Sequence, residues 1–279
     1  MGASRIETPG PDPAQRGVKS PFLGSEATSA VSQPSPTPSP SRSKGRSKQL
    51  LAVPELDTLA QVALFGGLTT EQLSKLSTLL GCKRYPARSE IIRVNEPGEI
   101  AYIILDGSVK VHISQPDGDV IVAILGASEI VGEMSLVDSL GRSASVSTLE
   151  PSTLLLIDRA TFSAILQEMP KITYNLINIL SRRLRLANVH TQSLSRLDVY
   201  GRVAGQLLAF AREYGEVTPN GDVIIPLRLT QSDLAEMVGA SRVRVNQALS
   251  FYKRRNYLSM DPNRHMVVHN LDALGRRCN

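Results

Sequence analysis

The sequence predicts an α+β protein of two domains, in which an antiparallel β-roll is followed by a long helix and a smaller, mainly helical domain. Three observations lead to this prediction. Apolar and polar residues alternate from Cys82 to Asp158, with Gly and Pro turns between short segments. Apolar residues then recur at helical spacing from Pro170 to about Arg196. Residues 198–279 return to short helical segments, and 279 residues suffice for about two domains.

Composition excludes several classes of protein. Hydrophobic residues make up 42% and charged residues 20%, which are globular values. No apolar run reaches the roughly 20 residues that span a bilayer, and the first residues lack the apolar core of a secretion signal. Two cysteines, Cys82 and Cys278, cannot supply a disulfide framework or a four-thiolate cluster. We therefore expect a cytoplasmic protein that has no membrane partner.

Residues 1–50 predict a disordered, Ser/Pro-rich tail, because they contain little that could be buried. The basic residues at its end favour contact with DNA or an acidic partner. Three other interpretations of this segment stay open. It could be a solvated leader, a stretch added by a start codon assigned too far upstream, or an organellar transit peptide.

The segment 51–169 begins with short helices and continues as a roll. Thr69 has the position of an N-cap before the run TEQLSKLSTLL. The strands that follow are short and separated by turns at Glu96-Pro97-Gly98, Asp106-Gly107 and Pro116-Asp117-Gly118. This pattern is typical of a small jelly roll, which can hold one small ligand between its strands.

Residues 130–146, IVGEMSLVDSLGRSASV, carry the chemistry of the first domain. Gly132 allows close approach of a ligand to the backbone, and a short helix after it favours an anion at its start. Arg142 offers a planar fork of donors to phosphate oxygens. Glu133 would repel a phosphate, so it is expected to accept a bond from a sugar hydroxyl instead.

A helix-turn-helix is predicted in the second domain. Thr230 caps one helix, Gly239-Ala240 forms the tight turn, and Ser241 caps a second helix from Arg242 to about Arg254. A β-wing follows over Tyr257–His269. Residues 198–279 carry 11 Lys and Arg against 8 Asp and Glu, whereas residues 51–197 carry 13 against 15. This difference in net charge favours a DNA-binding domain at 198–279 joined to a ligand-sensing domain at 51–197.

These motifs together resemble the Crp/Fnr family of bacterial transcription regulators over roughly Val53 to Val268. The stretch G-E-M-S-L…G-R-S-A is similar to the phosphate-binding cassette of cyclic-nucleotide-binding domains. The resemblance implies a cyclic-nucleotide-binding β-jelly-roll over 51–169, a dimerisation helix over 170–197 and a Crp-type winged helix-turn-helix domain over 198–279. It also implies a homodimer that binds palindromic double-stranded DNA, with RNA polymerase as a further candidate partner.

The resemblance assigns two sets of residues. The effector, with cAMP as the leading candidate, would be bound by Gly132, Glu133, Met134, Arg142, Ser143, Ala187 and Asn188. DNA would be bound by Thr230, Ser232, Ser241, Arg242, Val243, Arg244, Asn246, Gln247 and Lys253. Family members often carry Thr-Thr or Thr-Ser where this chain has Ala187-Asn188, which leaves cGMP, another effector or no effector open.

The recognition helix departs from the family pattern at two positions. Arg242 stands where the family reads guanine, but Val243 replaces a Glu and Gln247 replaces an Arg. We expect a half-site that overlaps a TGTGA-like sequence without matching it. Arg254 and Arg255 join Lys253 as candidate phosphate contacts.

No pattern of catalytic or metal-binding residues supports an enzyme, and we expect no cofactor beyond the effector. His265 and His269 lie about 13 Å apart if both are on one strand, which is too far for one metal ion. One alternative has a different kind of function: a nucleotide-binding regulatory module that acts on a protein partner. The helix-turn-helix argues against this alternative.

Overall fold

The computed structural model describes residues 51–116 and 118–278. The predicted tail over 1–50 and the centre of the turn at Asp117 lie outside the described residues. The predicted fold class is confirmed. A jelly roll leads through a long helix into a winged helix-turn-helix.

Short helices precede the roll: α1 (Leu56–Ala60), a 3₁₀ turn (Ala63–Phe65) and α2 (Thr70–Leu79). The predicted cap of α2 is confirmed. The Thr69 side chain accepts a bond from the Gln72 amide, and the Gln72 side chain accepts one from the Thr69 amide. This reciprocal capping box satisfies two amides that a helix start otherwise leaves unpaired.

The roll consists of two antiparallel four-stranded sheets, with strand orders β1-β8-β3-β6 and β2-β7-β4-β5. Its strands are β1 (Gly81–Tyr85), β2 (Glu90–Ile92), β3 (Ile100–Asp106), β4 (Val109–Gln115), β5 (Gly118–Leu125), β6 (Ile130–Val131), β7 (Ser145–Thr148) and β8 (Ser152–Asp158). The short helix α3 (Met134–Asp138) lies between β6 and β7.

Strand β3 is buried on both faces over 101–104. Tyr102 and Ile104 pack between the two sheets. Ala101 and Ile103 face the opposite way, into a core that includes residues of the helices around the roll. The run AYIIL therefore reads as continuously apolar, as expected for a strand that is covered on both sides.

Two helices follow the roll, α4 (Arg159–Glu168) and α5 (Pro170–Arg196). Asp158 caps α4 by accepting a bond from the Thr161 amide at 2.8 Å. Helix α5 is 27 residues long and begins with Pro at its first position, as predicted. Its first part is anchored by Ile172, Leu176 and Ile179, all buried in the roll's outer core.

The second domain contains the predicted helix-turn-helix and wing, and it has two elements that were not predicted. Its elements are α6 (Val199–Tyr214), β9 (Glu216–Val217), β10 (Val223–Ile225), α7 (Gln231–Val238), α8 (Arg242–Arg254), β11 (Leu258–Met260), β12 (Met266–Val268) and α9 (Leu271–Gly275). Strands β11 and β12 form the wing hairpin and join β10 and β9 in one sheet. The two unpredicted elements are the two-residue strand β9 and the short helix α9.

The roll and the second domain share a core. Ile121 and Ile124 of β5 are almost fully buried among the apolar residues of the helical domain. The Lys110 ammonium lies 3.5 Å from the Glu236 carboxylate on α7, and Tyr214 donates to the Ile124 carbonyl at 3.5 Å. The outer face of the β4–β5 hairpin is thus an interface within the chain.

Candidate functional site

The predicted effector site is built around Gly132 and Arg142. Gly132 has a φ of +80°, and a Cβ there would lie 2.7 Å from Arg142 Nη1. Arg142 is buried and donates from Nη1 to the Gly132 carbonyl at 2.7 Å and to Ser135 Oγ at 2.8 Å. Its Nη2 donates to the Ile100 carbonyl at 2.5 Å. These bonds fix the plane of the guanidinium.

Glu133 adjoins this arginine and is also buried, at 3% exposure. Its carboxylate receives a bond from Arg183 Nη1 of α5 at 3.0 Å. Arg183 also donates from Nη2 to the Ile130 carbonyl at 2.6 Å. The site therefore brings together an acid and two arginines, one from the roll and one from the long helix.

The buried charges change the pKa values of this pair. Burial raises the pKa of the Glu133 carboxyl, and the positive charge of Arg183 offsets this only in part. Burial lowers the pKa of the Arg142 guanidinium, although an arginine stays protonated in proteins. Burial therefore disfavours the charged form of both groups.

An ion-pair chain extends from this site to the second domain. Glu129 is buried and accepts bonds from both Arg183, at 2.6 Å, and Arg182. Arg182 also pairs with Glu213 near the end of α6. The chain runs Glu133–Arg183–Glu129–Arg182–Glu213. It connects the loop around Glu133 to the second domain through neighbouring residues of α5.

The other predicted effector residues are exposed and more widely spaced. Met134 begins α3 with 52% exposure, and Ser143 is exposed beside Arg142. Ala187 and Asn188 are exposed on α5. Asn188 lies five residues beyond Arg183, or about 7.5 Å along the helix axis. The structure brings Gly132, Glu133 and Arg142 together in one buried site, whereas Met134, Ser143, Ala187 and Asn188 are exposed.

Helix α8 presents the predicted base-reading residues on one exposed face. Ser241 caps the helix by accepting a weak bond from the Arg244 amide at 3.4 Å. Val245, Ala248, Leu249 and Tyr252 are buried on the other side, which holds the helix against the domain. The exposed residues are Arg242, Val243, Arg244, Asn246 and Gln247.

The residues that could contact DNA phosphates differ in their exposure and in whether they already bond to other side chains. The Thr230 hydroxyl donates to the Asp233 carboxylate at 2.6 Å within the capping box of α7, whereas Ser232 is half-buried. Lys253 and Arg254 are exposed. The guanidinium of Arg255 lies 4.8 Å from the centre of the Phe251 ring. A cation over a ring in this way is held by attraction to the ring face.

The wing histidines pair with acids of the same domain. His265 lies 3.1 Å from Asp261, and His269 lies 3.0 Å from Asp222. Within the described ranges, no group of three or more His, Cys, Asp or Glu side chains could hold a metal ion. In the same part of the chain, no helix is both long and apolar enough to cross a bilayer.

Comparison with known proteins accords with this geometry. Residues 82–169 match the cyclic nucleotide-binding domain family, and residues 201–277 match the Crp-like helix-turn-helix domain family. The CRP-like cAMP-activated global transcriptional regulator of Mycobacterium tuberculosis is 32% identical over 222 residues, which cover 79% of this chain and 98% of that protein. The chain belongs to the Crp/Fnr family of transcription regulators. It is a DNA-binding regulator with a cyclic nucleotide-binding domain.

Further family members agree in sequence or in fold. The cyclic AMP receptor protein of Thermus thermophilus is 29% identical over 201 residues, covering 71% of this chain and 89% of that one. The structure of FixK2 from Bradyrhizobium japonicum superposes with a TM-score of 0.63 at 21% identity, over 72% of this chain and 98% of that one. The global regulator CLP of Xanthomonas campestris has a TM-score of 0.59 at 24% identity, over 72% and 100%. These two structures support the fold.

Sequence reasoning missed the charged residues that surround the cassette. Arg182, Arg183 and Glu129 were not assigned, although they pair across as many as 54 positions of sequence. A usable signal was present in the sequence. Arg182 and Arg183 are adjacent on a helix that was predicted to pack against the roll, and arginines that become half-buried there need acidic partners.

Proposed function

We propose that this chain is a cAMP-responsive homodimeric transcription regulator that binds cAMP in the roll and palindromic DNA through α8. One observation carries the effector assignment. Gly132, Glu133 and Arg142 meet in a single buried site, with Arg183 of α5 beside them. The choice of cAMP is supported by two relatives, the cAMP-activated regulator of M. tuberculosis and the cyclic AMP receptor protein of T. thermophilus.

In this proposal each group of the site acts on one part of the nucleotide. Arg142 would neutralise the cyclic phosphate, and Gly132 lets the sugar-phosphate lie against the backbone. Glu133 would accept a bond from the ribose hydroxyl. Asn188 would meet the adenine edge, since a side-chain amide both donates and accepts. Met134 and Ser143 complete the contacts that the family resemblance implies.

Dimerisation would use the exposed side of α5. Tyr174, Ile177 and Leu184 are each at least half exposed in the single chain. Their spacing of three and seven residues places them along one stripe of a helix, the pattern that pairs two helices. A second copy would cover this stripe and bring a second α8 to the DNA.

The proposal assigns effector binding to residues 51–169, pairing to 170–197 and DNA reading to 198–279. Arg242 would contact guanine, and Val243, at 67% exposure, suits contact with a thymine methyl group. Ser232, Ser241 and Lys253 would hold phosphates. The regulator would act in the cytoplasm with RNA polymerase as a partner, and the proposal includes no catalytic step.

Two measurements on the full chain test this proposal. Calorimetry with cAMP and cGMP should give heat with cAMP. Selection from random DNA should enrich two half-sites about ten base pairs apart, and more strongly with cAMP present. Absence of heat with both nucleotides would reject cAMP control, and enrichment of no sequence would reject the DNA-reading role.

A second candidate keeps DNA binding and changes the effector. Ala187 favours it, because a methyl side chain forms no hydrogen bond with a nucleotide base. Heat with cGMP alone, or selection that is equal with and without cAMP, would support this candidate.

The ion-pair chain predicts that removing the charge of Glu213 weakens the coupling between effector binding and DNA binding. We expect Glu213→Gln to reduce the ratio of DNA affinities with and without cAMP by about threefold, since partly exposed ion pairs contribute up to about 1 kcal/mol. Glu216→Gln is the matched control, because Glu216 is exposed and its substitution removes the same charge. Fluorescence anisotropy on labelled DNA measures both affinities. An unchanged ratio in Glu213→Gln would contradict a role for this chain in coupling.

A further inference from the structure

Arg159 connects three parts of the roll around the effector site. It is the first residue of α4, it is half-buried, and sequence reasoning gave it no role. Its Nη2 donates to the Gly98 carbonyl at 2.5 Å and to the Ser135 carbonyl at 2.8 Å. Its Nη1 donates to Ser139 Oγ at 3.2 Å and, more weakly, to the Leu136 carbonyl at 3.4 Å. This one guanidinium therefore joins α4 to α3 and to the turn before β3.

These bonds compensate for the shortness of α3. The last carbonyls of a helix have no partner within it, and a helix of five residues consists almost entirely of such ends. Arg159 supplies donors to two of these carbonyls, those of Ser135 and Leu136. A cation near the C-terminal end of a helix is also favoured by the helix dipole. The position of α3 therefore depends in part on this side chain.

Arg142 and Arg159 connect the same two segments. Arg142 donates to the Ile100 carbonyl in β3 and to Ser135 Oγ in α3, whereas Arg159 bonds the Gly98 and Ser135 carbonyls. The segments pack closely, since a Cβ on Gly98 would lie 2.5 Å from Ser135 Cβ and 3.3 Å from Arg142 Cζ. A shift of α3 relative to the start of β3 would therefore move an acceptor that orients Arg142.

Only some of the donors of Arg142 remain for a ligand. A guanidinium has five N–H groups. Both N–H groups of Nη1 are used, on the Gly132 carbonyl and Ser135 Oγ, and one of Nη2 is used on the Ile100 carbonyl. Within the part of the chain that the structure describes, this leaves the Nε–H and one N–H of Nη2. Two donors suffice for a bidentate contact with a phosphate, provided that the plane of the guanidinium is aligned with two of its oxygens.

We propose that Arg159 is a positioning residue of the effector site, which holds α3 against the turn before β3 so that the remaining donors of Arg142 align with two oxygens of the cyclic phosphate. This inference rests on the proposed binding of cAMP in the roll. Arg159 acts through Arg142 and needs no contact with the nucleotide itself.

Calorimetry on the full chain with cAMP and with the Rp and Sp diastereomers of its phosphorothioate tests the inference. Each diastereomer has sulfur in place of one exocyclic oxygen of the cyclic phosphate, so the ratio of their affinities reports how the guanidinium is aligned with the two oxygens. We expect Arg159→Met to lower cAMP affinity by about tenfold and to shift the ratio toward one by about threefold, as for a weakened hydrogen bond to a charged group. Arg159→Lys keeps the charge without the fork, so both of its values should lie between those of wild type and Arg159→Met. If Arg159→Met does not fold, Arg159→Lys carries the test with the same expected direction.

Arg84→Met is the matched control, because Arg84 is exposed on β1 of the same domain and its substitution removes the same charge. It should leave the cAMP affinity and the ratio unchanged. The inference would be overturned by an unchanged ratio in Arg159→Met, which would indicate a role in stability alone, or by full recovery in Arg159→Lys, which would assign the loss to charge. Equal affinity of wild type for the two diastereomers would also overturn it. Absence of cAMP binding by wild type would instead reject the proposed function, and this inference with it.

Discussion

Replacing Arg142 with alanine should abolish measurable cAMP binding. The side chain would supply charged, bidentate hydrogen bonds to the cyclic phosphate in a buried site, and hydrogen bonds to charged groups contribute about 1.5–3 kcal/mol each. Two such bonds correspond to a loss of at least about 100-fold in affinity. Isothermal calorimetry with cAMP is the measurement.

Because Arg142 also stabilises the fold, a second variant is needed to separate loss of cAMP binding from loss of stability. Arg142 also holds the carbonyls of Gly132 and Ile100, so its removal lowers the free energy of unfolding as well. Arg142→Lys keeps the charge without the fork, and its cAMP affinity should fall between those of wild type and Arg142→Ala. Arg93→Ala removes an exposed arginine of the same domain and should bind cAMP as wild type does. A well-folded Arg142→Ala protein that still bound cAMP within about threefold of wild type would refute the assigned phosphate contact.

Replacing Arg242 with alanine should remove sequence selection at one base pair of each half-site. Arg242 is the first residue of α8 and is exposed, with its helix capped by Ser241. A bidentate contact with guanine contributes about 1–3 kcal/mol of discrimination, so specific affinity should fall by about tenfold to 100-fold per half-site. Anisotropy titrations on the selected site and on single-base variants measure this loss.

Lys253→Ala is the control for a purely electrostatic effect. It should weaken binding to all sequences alike and reduce the salt dependence of the affinity by about one unit of slope. Arg242→Ala should leave binding to unrelated DNA nearly unchanged. If Arg242→Ala kept full, selective DNA affinity, α8 would not be the reading helix, and a regulatory module for a protein partner would become the better explanation.

Local signals explain why so much of both domains could be predicted. The Thr69, Thr230 and Ser241 caps each bond to a residue three positions later, so the evidence for them lies within a few letters of sequence. The cassette is similarly compact, because Gly132 and Arg142 are separated by ten positions. Helix α9 is only five residues long, too short to show a clear period, and it was missed.

The features that the sequence did not predict depend on which residues the tertiary fold buries. Strand β5 is apolar from Val120 to Leu125, and Ile121 and Ile124 are covered by the second domain rather than by the roll's interior. Glu129 reads as an ordinary surface acid in the loop before β6, but it is 5% exposed and bound by two arginines of α5. A buried carboxylate needs such partners, and they come from an element about 50 residues away.

The amino-acid sequence alone predicted the order of most helices and strands, the acid and arginine of the cassette, and the residues of α8 that are proposed to read DNA. These properties depend on periodicity, caps and turns, which act over a few residues. Only the tertiary structure decided that Glu133 pairs with Arg183 and that a chain of charges reaches Glu213. Their physical cause is packing, because a buried or fixed polar group takes its partner from whichever element the fold places against it.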